Sequence, residues 1–120
     1  MRTTEVDWEG RLPVDAYGEG GFRVAGAVHH GPLALLPEGI VGWSGLPDLA
    51  PFLERIVSFD VLLVGVGATM VAPEPALSAG RSRLEAAGAG VDLMTTPSAA
   101  RTYNVLLAEG RRVAAALMPI

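Results

Sequence analysis

Residues 61–70 read VLLVGVGATM, and no other stretch constrains the fold as much. Val61 to Val66 is a near-continuous apolar run, whereas a strand with one wet face would alternate apolar and polar side chains. The run therefore belongs to a strand covered on both faces. Half of the 120 residues are apolar and 18% are charged. That suffices for one hydrophobic core in a single domain and argues against disorder. The apolar stretch continues to Ala72, twelve residues with two glycines, well short of the roughly 20 that a membrane-spanning helix requires.

From Phe59 onward the periodicity predicts strand, helix, strand, helix, strand. The first helix is expected over about Ala76 to Ala87, with Leu77, Gly80, Leu84 and Ala87 at helical spacing. Gly80 costs roughly 0.5–1 kcal/mol against Ala there, so a close approach of helix to sheet is its expected compensation. Val91 to Met94 forms the second strand. In TTPSAARTYNVLLAEG, Thr96 is expected at the N-cap, Pro97 at the first helical position and Gly110 at the close. Ala99, Tyr103, Leu106, Leu107 and Gly110 make its apolar stripe. RRVAAALMPI is the last strand, broken by Pro119.

The half before Trp43 is rich in Gly and Pro and alternates like short strands. Phe22, Val24 and Val28 fall on one face, with Arg23, Ala25, Ala27 and His29 on the other. A turn at His30-Gly31-Pro32 predicts a hairpin from Phe22 to Leu36, followed by a short strand near Ile40 to Trp43. LPDLAPFLERIVS reads as a short helical turn with Leu49, Phe52, Leu53 and Ile56 on its apolar side. Residues 1–13 read as a flexible extension, and 14–120 as one α/β domain.

The Gly65-x-Gly67 turn invites a dinucleotide reading, but its surroundings do not match one. The third glycine of such a loop would fall at Met70, and the helix waits until after Pro73 and Pro75. The ribose-binding acid should close the second strand, which ends instead at Met94-Thr95-Thr96. A Walker loop fails because the chain has no lysine. Gly65 and Gly67 are better explained as letting the chain turn at the sheet edge.

Other chemistry is equally sparse. With no cysteine, thiol nucleophiles, disulfides and Cys-ligated metals are excluded. The net charge is −4 and no basic stripe interrupts it, which argues against a nucleic-acid partner. His29 and His30 are adjacent in a strand, so they diverge and cannot readily share a metal. No Gly-x-Ser-x-Gly elbow surrounds any serine. Asp60, just before a parallel strand, is expected to cap or pair. Thus no catalytic, cofactor-binding or metal-ligating residue is singled out, and no cofactor is expected. Asn104 is the one amide side chain in the protein. Unpartnered burial would cost it roughly 1–3 kcal/mol, so it should bond to backbone or to a neighbour such as Arg101 or Tyr103, as a polar clip between helix and loop, or else to a ligand or partner. Thr96 and Ser98, at a helix start beyond a parallel strand, occupy the position where open α/β sheets hold anions. Trp8, Trp43 and Phe22 would make an apolar docking patch if exposed together, or join the core. Acids in MRTTEVDWEG disfavour a secretory signal or a mitochondrial presequence. A cytoplasmic protein that does not span a membrane is expected.

Three blocks carry a family resemblance: YGEGGFRVAGAVHHGPLALLPEGIVGW, FDVLLVGVGA and GVDLMTTPSAARTYNVLLAEGRRVAAALMP. They resemble a small-domain family that includes mitochondrial NADH:ubiquinone oxidoreductase (complex I) assembly factor three and many bacterial and archaeal proteins of unknown function. The matching positions are Tyr17, Gly20, Gly21, Phe22, Gly65, Gly67, Tyr103, Asn104, Glu109 and Gly110. The resemblance implies a three-layer α/β domain with a central mixed sheet, to which the N-terminal strands add a β-hairpin layer. It also implies action by binding, with no established catalytic residues to carry over.

Two functions follow. One is a non-catalytic interaction or assembly module whose partners are other proteins, including respiratory-complex subunits. The alternative is a small-molecule-binding protein or enzyme with its pocket at the C-terminal ends of the parallel strands. Gly65, Gly67, Thr95, Thr96, Arg101, Tyr103 and Asn104 are the candidate pocket or interface residues.

Overall fold

The computed structural model describes residues 12–70 and 72–120. Residues 1–11 of the expected N-terminal extension, and Trp8 with them, lie outside the described residues. Val61–Gly65 (β6) sits inside a five-stranded sheet, as its apolar run requires. In this sheet β6 is hydrogen-bonded in parallel to Gly90–Met94 (β7) on one side and to Val113–Leu117 (β8) on the other. Leu33–Leu36 (β4) and Gly39–Val41 (β5) extend it antiparallel beyond β8, giving the order β5-β4-β8-β6-β7. Successive side chains of β4, β6 and β8 enter two separate cores: Leu33, Leu35, Leu63, Val113, Ala115 and Leu117 face one, while Ala34, Leu36, Leu62, Val64, Ala114 and Ala116 face the other.

Each core is covered by a different layer. On the first side lies Thr96–Ala108 (α3), together with a three-stranded antiparallel sheet of Val14–Gly18 (β1), Gly21–Val24 (β2) and Ala27–His30 (β3). On the second side lie Ala50–Glu54 (α1) and Pro75–Ala86 (α2). The result is a three-layer α/β domain with a central mixed sheet, a C-terminal β-α-β-α-β unit and an added N-terminal hairpin layer. The alanines of β8 are fully buried; Ala115 leaves room on the α3 side, and Ala114 and Ala116 on the side of α1 and α2.

The N-terminal hairpin differs from the sequence expectation. The chain reverses at Ala25-Gly26, where both residues have positive φ (51° and 82°). Gly is at ease there, but Ala gives no sequence signal for such a turn. The His30-Gly31-Pro32 step instead carries the chain from one sheet to the other, so β3 and β4 do not pair. Because the two-residue turn reverses the parity, Val28 stands opposite Arg23, while His29 shares a face with Phe22. Phe22 and Val24 are buried on the α3 side. Trp43 packs instead against the α1–α2 core, its ring edge-on to Phe52 at 5.7 Å. Trp43 and Phe22 therefore do not form one patch.

Smaller differences have equally local causes. The fifth strand spans Gly39–Val41 and stops before Trp43, whose Nε1–H donates to the Asp48 carbonyl (2.6 Å). Gly80 makes the close approach its helix requires, but to Leu49 rather than to the sheet: a Cβ at Gly80 would stand 3.1 Å from Leu49 Cδ1. At the end of α3, Gly110 (φ 77°) lets the Gly110 and Arg111 N–H groups reach back to the Leu107 and Leu106 carbonyls, closing the helix as its sequence indicates. Gly110 itself is exposed, and Ala100 takes its place in the buried stripe.

Candidate functional site

Six of the seven candidate residues fall in two clusters, one at the start of α3 and one further along it, and Arg101 belongs to neither. The first lies where β6 ends and α3 begins. Thr96 is fully buried, and its side chain makes two hydrogen bonds inside the fold. Its Oγ1 accepts from the Gly67 N–H (3.0 Å) and donates to the Met118 carbonyl (2.7 Å). The Thr96 N–H in turn donates to the Gly67 carbonyl (2.8 Å). Thr96 is therefore a bridge between the β6 turn and the end of β8 rather than a cap, and the N-cap position is Thr95. Gly65 makes this junction possible. A Cβ there would come within 2.9 Å of both Cα and Oγ1 of Thr96, and 3.1 Å from Leu117 Cδ2. Gly67 has open space around it but a φ of 120°, which an L side chain adopts with strain. The glycine turn thus answers to helix–sheet contact and chain reversal.

The second cluster lies about 12 Å further along the helix, at 1.5 Å per residue. Asn104 faces the first residue of β1. Its Oδ1 accepts from the Val14 N–H (2.9 Å) and its Nδ2 donates to the Val14 carbonyl (2.8 Å). A side-chain amide has the donor and acceptor of a peptide group, so Asn104 pairs with Val14 as a neighbouring strand would. Tyr103, buried one residue earlier, donates from its hydroxyl to the Leu12 carbonyl (3.2 Å). The two side chains fix the hairpin layer to α3. Arg101 is exposed on the helix surface, with Nη2 3.4 Å from Ser98 Oγ.

Val14, Leu12 and Met118 complete these clusters but escaped the sequence reading, because each contributes backbone groups and no distinctive side chain. Met118 has a further contact: its Sδ accepts from the Leu46 N–H (3.4 Å).

Elsewhere, Asp60 pairs with Arg112 where β6 and β8 begin, with contacts of 2.9 and 3.2 Å. The hydrogen bond from Arg112 holds the Asp60 carboxyl below its usual range, and the same bond raises the Arg112 guanidinium. Both side chains are exposed, so the pair is worth little to stability. Among the described residues, no group of three or more His, Asp or Glu side chains is placed to hold a metal ion. None of the described helices is long and apolar enough to cross a membrane. Two hollows open away from both α3 clusters. One, of about 270 Å³, lies on the three-stranded sheet beside Tyr17, Arg23, Val28 and His30. The other, of about 320 Å³, lies between α1 and α2 beside Leu49, Leu53, Gly80 and Arg83.

Comparison with known proteins agrees with this architecture. An uncharacterized protein from Rhodobacter capsulatus is 46% identical over 120 residues, covering 100% of this chain and 94% of that protein. NADH dehydrogenase [ubiquinone] 1 alpha subcomplex assembly factor 3 from Bos taurus is 34% identical over 115 residues, covering 88% of this chain. The match spans 60% of the bovine protein's own length. The crystal structure of an outer membrane protein from Bartonella henselae superposes with a TM-score of 0.79 at 39% identity, covering 92% of this chain and 96% of that one. Residues 14–118 match the model of a protein family of unknown function, DUF498/DUF598, and the chain belongs to that family.

Proposed function

We propose that this protein is a non-catalytic assembly module that binds other proteins, respiratory-complex subunits among them. The observation that carries this reading is the similarity to the assembly factors over 88% of the chain. The α3 clusters support it. A small-molecule pocket at the strand ends would need donors and acceptors directed at a ligand, whereas the Thr96 hydroxyl and the Asn104 amide are bonded within the domain. These bonds hold the hairpin layer and the sheet as a rigid frame, which suits a protein that presents a surface.

The test uses Rhodobacter capsulatus, which has the 46% identical relative. Deleting that relative should lower the amount of assembled NADH dehydrogenase on native gels, and expressing this chain should restore it. Unchanged assembly in the deletion strain would refute the reading. The same reading places the chain in the cytoplasm. Fractionation should find it with soluble cytoplasmic markers; recovery with the outer membrane, as the name of the Bartonella protein suggests for that relative, would contradict it.

A further inference from the structure

We propose that the outer face of the three-stranded sheet is the docking surface for an extended partner segment carrying a carboxylate beside an apolar side chain. This rests on the assembly-module reading and adds the place and chemistry of the contact. The strand registers put two cross-strand rows on that face: Ala16–Arg23–Val28 and Gly18–Gly21–His30. The second row is two-thirds glycine, so the face is hollow there. Neither glycine can readily be filled. Gly18 has a φ of 143°, and a Cβ on Gly21 would stand 2.9 Å from the His29 carbonyl oxygen. Tight turns at Glu19-Gly20 and Ala25-Gly26, all four residues at positive φ, join the strands and favour a strong twist in this small sheet. A hollow of about 270 Å³ results, bordered by Tyr17, Glu19, Arg23, Val28 and His30.

The groups around it suit a protein segment. Val28, opposite Arg23 on this face, is 56% exposed, one of the large apolar side chains that the domain leaves uncovered. At the centre of the first row stands Arg23, an exposed permanent cation whose guanidinium makes no ion pair or hydrogen bond with any described residue. Arg55, Arg81 and Arg112, by contrast, all have carboxylate partners within 3.5 Å. A guanidinium fork matches a carboxylate bidentately, and Arg is among the residue types that most often dominate protein interfaces. Glu19 is the one acid at the rim; it disfavours a second carboxylate near the turn and so directs the partner's acid toward Arg23. The hollow is open and shallow. A small ligand would need most of its surface enclosed, whereas a chain segment lying across the strands is held along its length.

The experiment uses the Rhodobacter capsulatus deletion strain. Arg23→Glu combined with Val28→Asp should restore at least tenfold less assembled NADH dehydrogenase than the unaltered chain, with an unchanged melting temperature. Val57→Asp, at a site 83% exposed on another element, should restore it fully. A photocross-linking amino acid at position 28 should give a product with a respiratory subunit, mapped to a peptide containing Asp or Glu. Full restoration by the double variant would overturn the docking surface while leaving the assembly reading intact. Failure of the unaltered chain to restore assembly would remove both. If the double variant melts early, the cross-link decides. Capture of a second copy of this chain, or of nothing, overturns the proposal.

Discussion

Replacing Thr96 by Val examines the junction on which the architecture turns. The two side chains are nearly the same size, so the substitution leaves no cavity, and only the hydroxyl is lost. That hydroxyl accepts from Gly67 and donates to Met118 from a fully buried position. Each bond contributes about 0.5–1.5 kcal/mol net, and each deprived partner adds up to about 1–3 kcal/mol if water cannot reach it. Gly67 and Met118 are half-buried, so water meets part of the demand. The expected destabilisation is about 2–4 kcal/mol, a large share of the roughly 5–15 kcal/mol that holds a domain together. Thr96→Ser keeps the hydroxyl and removes one methyl, costing about 1 kcal/mol. Urea unfolding followed by circular dichroism would rank the variants as wild type, Ser, then Val. A Val variant within about 0.5 kcal/mol of wild type, inside the range of ordinary surface changes, would refute the assigned role of the hydroxyl. So would a Ser variant weaker than Val.

Three further outcomes are expected. Gly65→Ala should destabilise by about 1–3 kcal/mol, because the new Cβ would press on the Thr96 backbone, which cannot swing aside; a melting temperature at or above wild type would show that the junction has slack. Ala25→Asn should stabilise by up to about 1 kcal/mol, since Ala25 holds a φ of 51° in a turn that favours Asn-Gly, and a lower melting temperature would contradict this. The Asp60 carboxyl titrates below its usual range when folded, so its contribution is present above the unfolded pKa and fades as pH falls through the folded one. The stability gap between wild type and Asp60→Asn should therefore shrink in acid and with added salt, as differential melts across pH would reveal; a gap that widens in acid would contradict the pairing with Arg112.

How much of this was legible in the sequence depends on whether the determinant was local. The run at Val61–Val66 announced a strand covered on both faces. Pro97 and Gly110 bracketed the last helix closely. The reversal at Ala25-Gly26 was hidden because Ala occupies a left-handed position that sequence patterns reserve for Gly or Asn. That single turn moved Val28 from the expected buried row to the exposed one, and so concealed the outer face. Thr96 looked like a cap because it precedes a proline at the start of a helix, yet its hydroxyl is directed at two segments 29 and 22 residues away. Asn104 stood out as the lone amide, and a backbone partner was one of its expected fates. Its actual partner, Val14, lies 90 residues distant and offers only backbone atoms. The insertion of β8 between β4 and β6 left no local mark, since its place is set by pairing with strands far away in sequence and its alanines enter both cores.

The central physical claim is that the polar groups of both α3 clusters tie the domain's layers together. Amide hydrogen exchange at Val14 and Gly67 measures this directly, because each N–H donates to a side chain from α3 at the very start of a strand or in a turn. Both should exchange about as slowly as the core of β6, through opening on the scale of global unfolding. Exchange at the rate of exposed turns, with β6 still protected, would mean that the strand-end mouth opens freely and that its polar groups are available to a ligand.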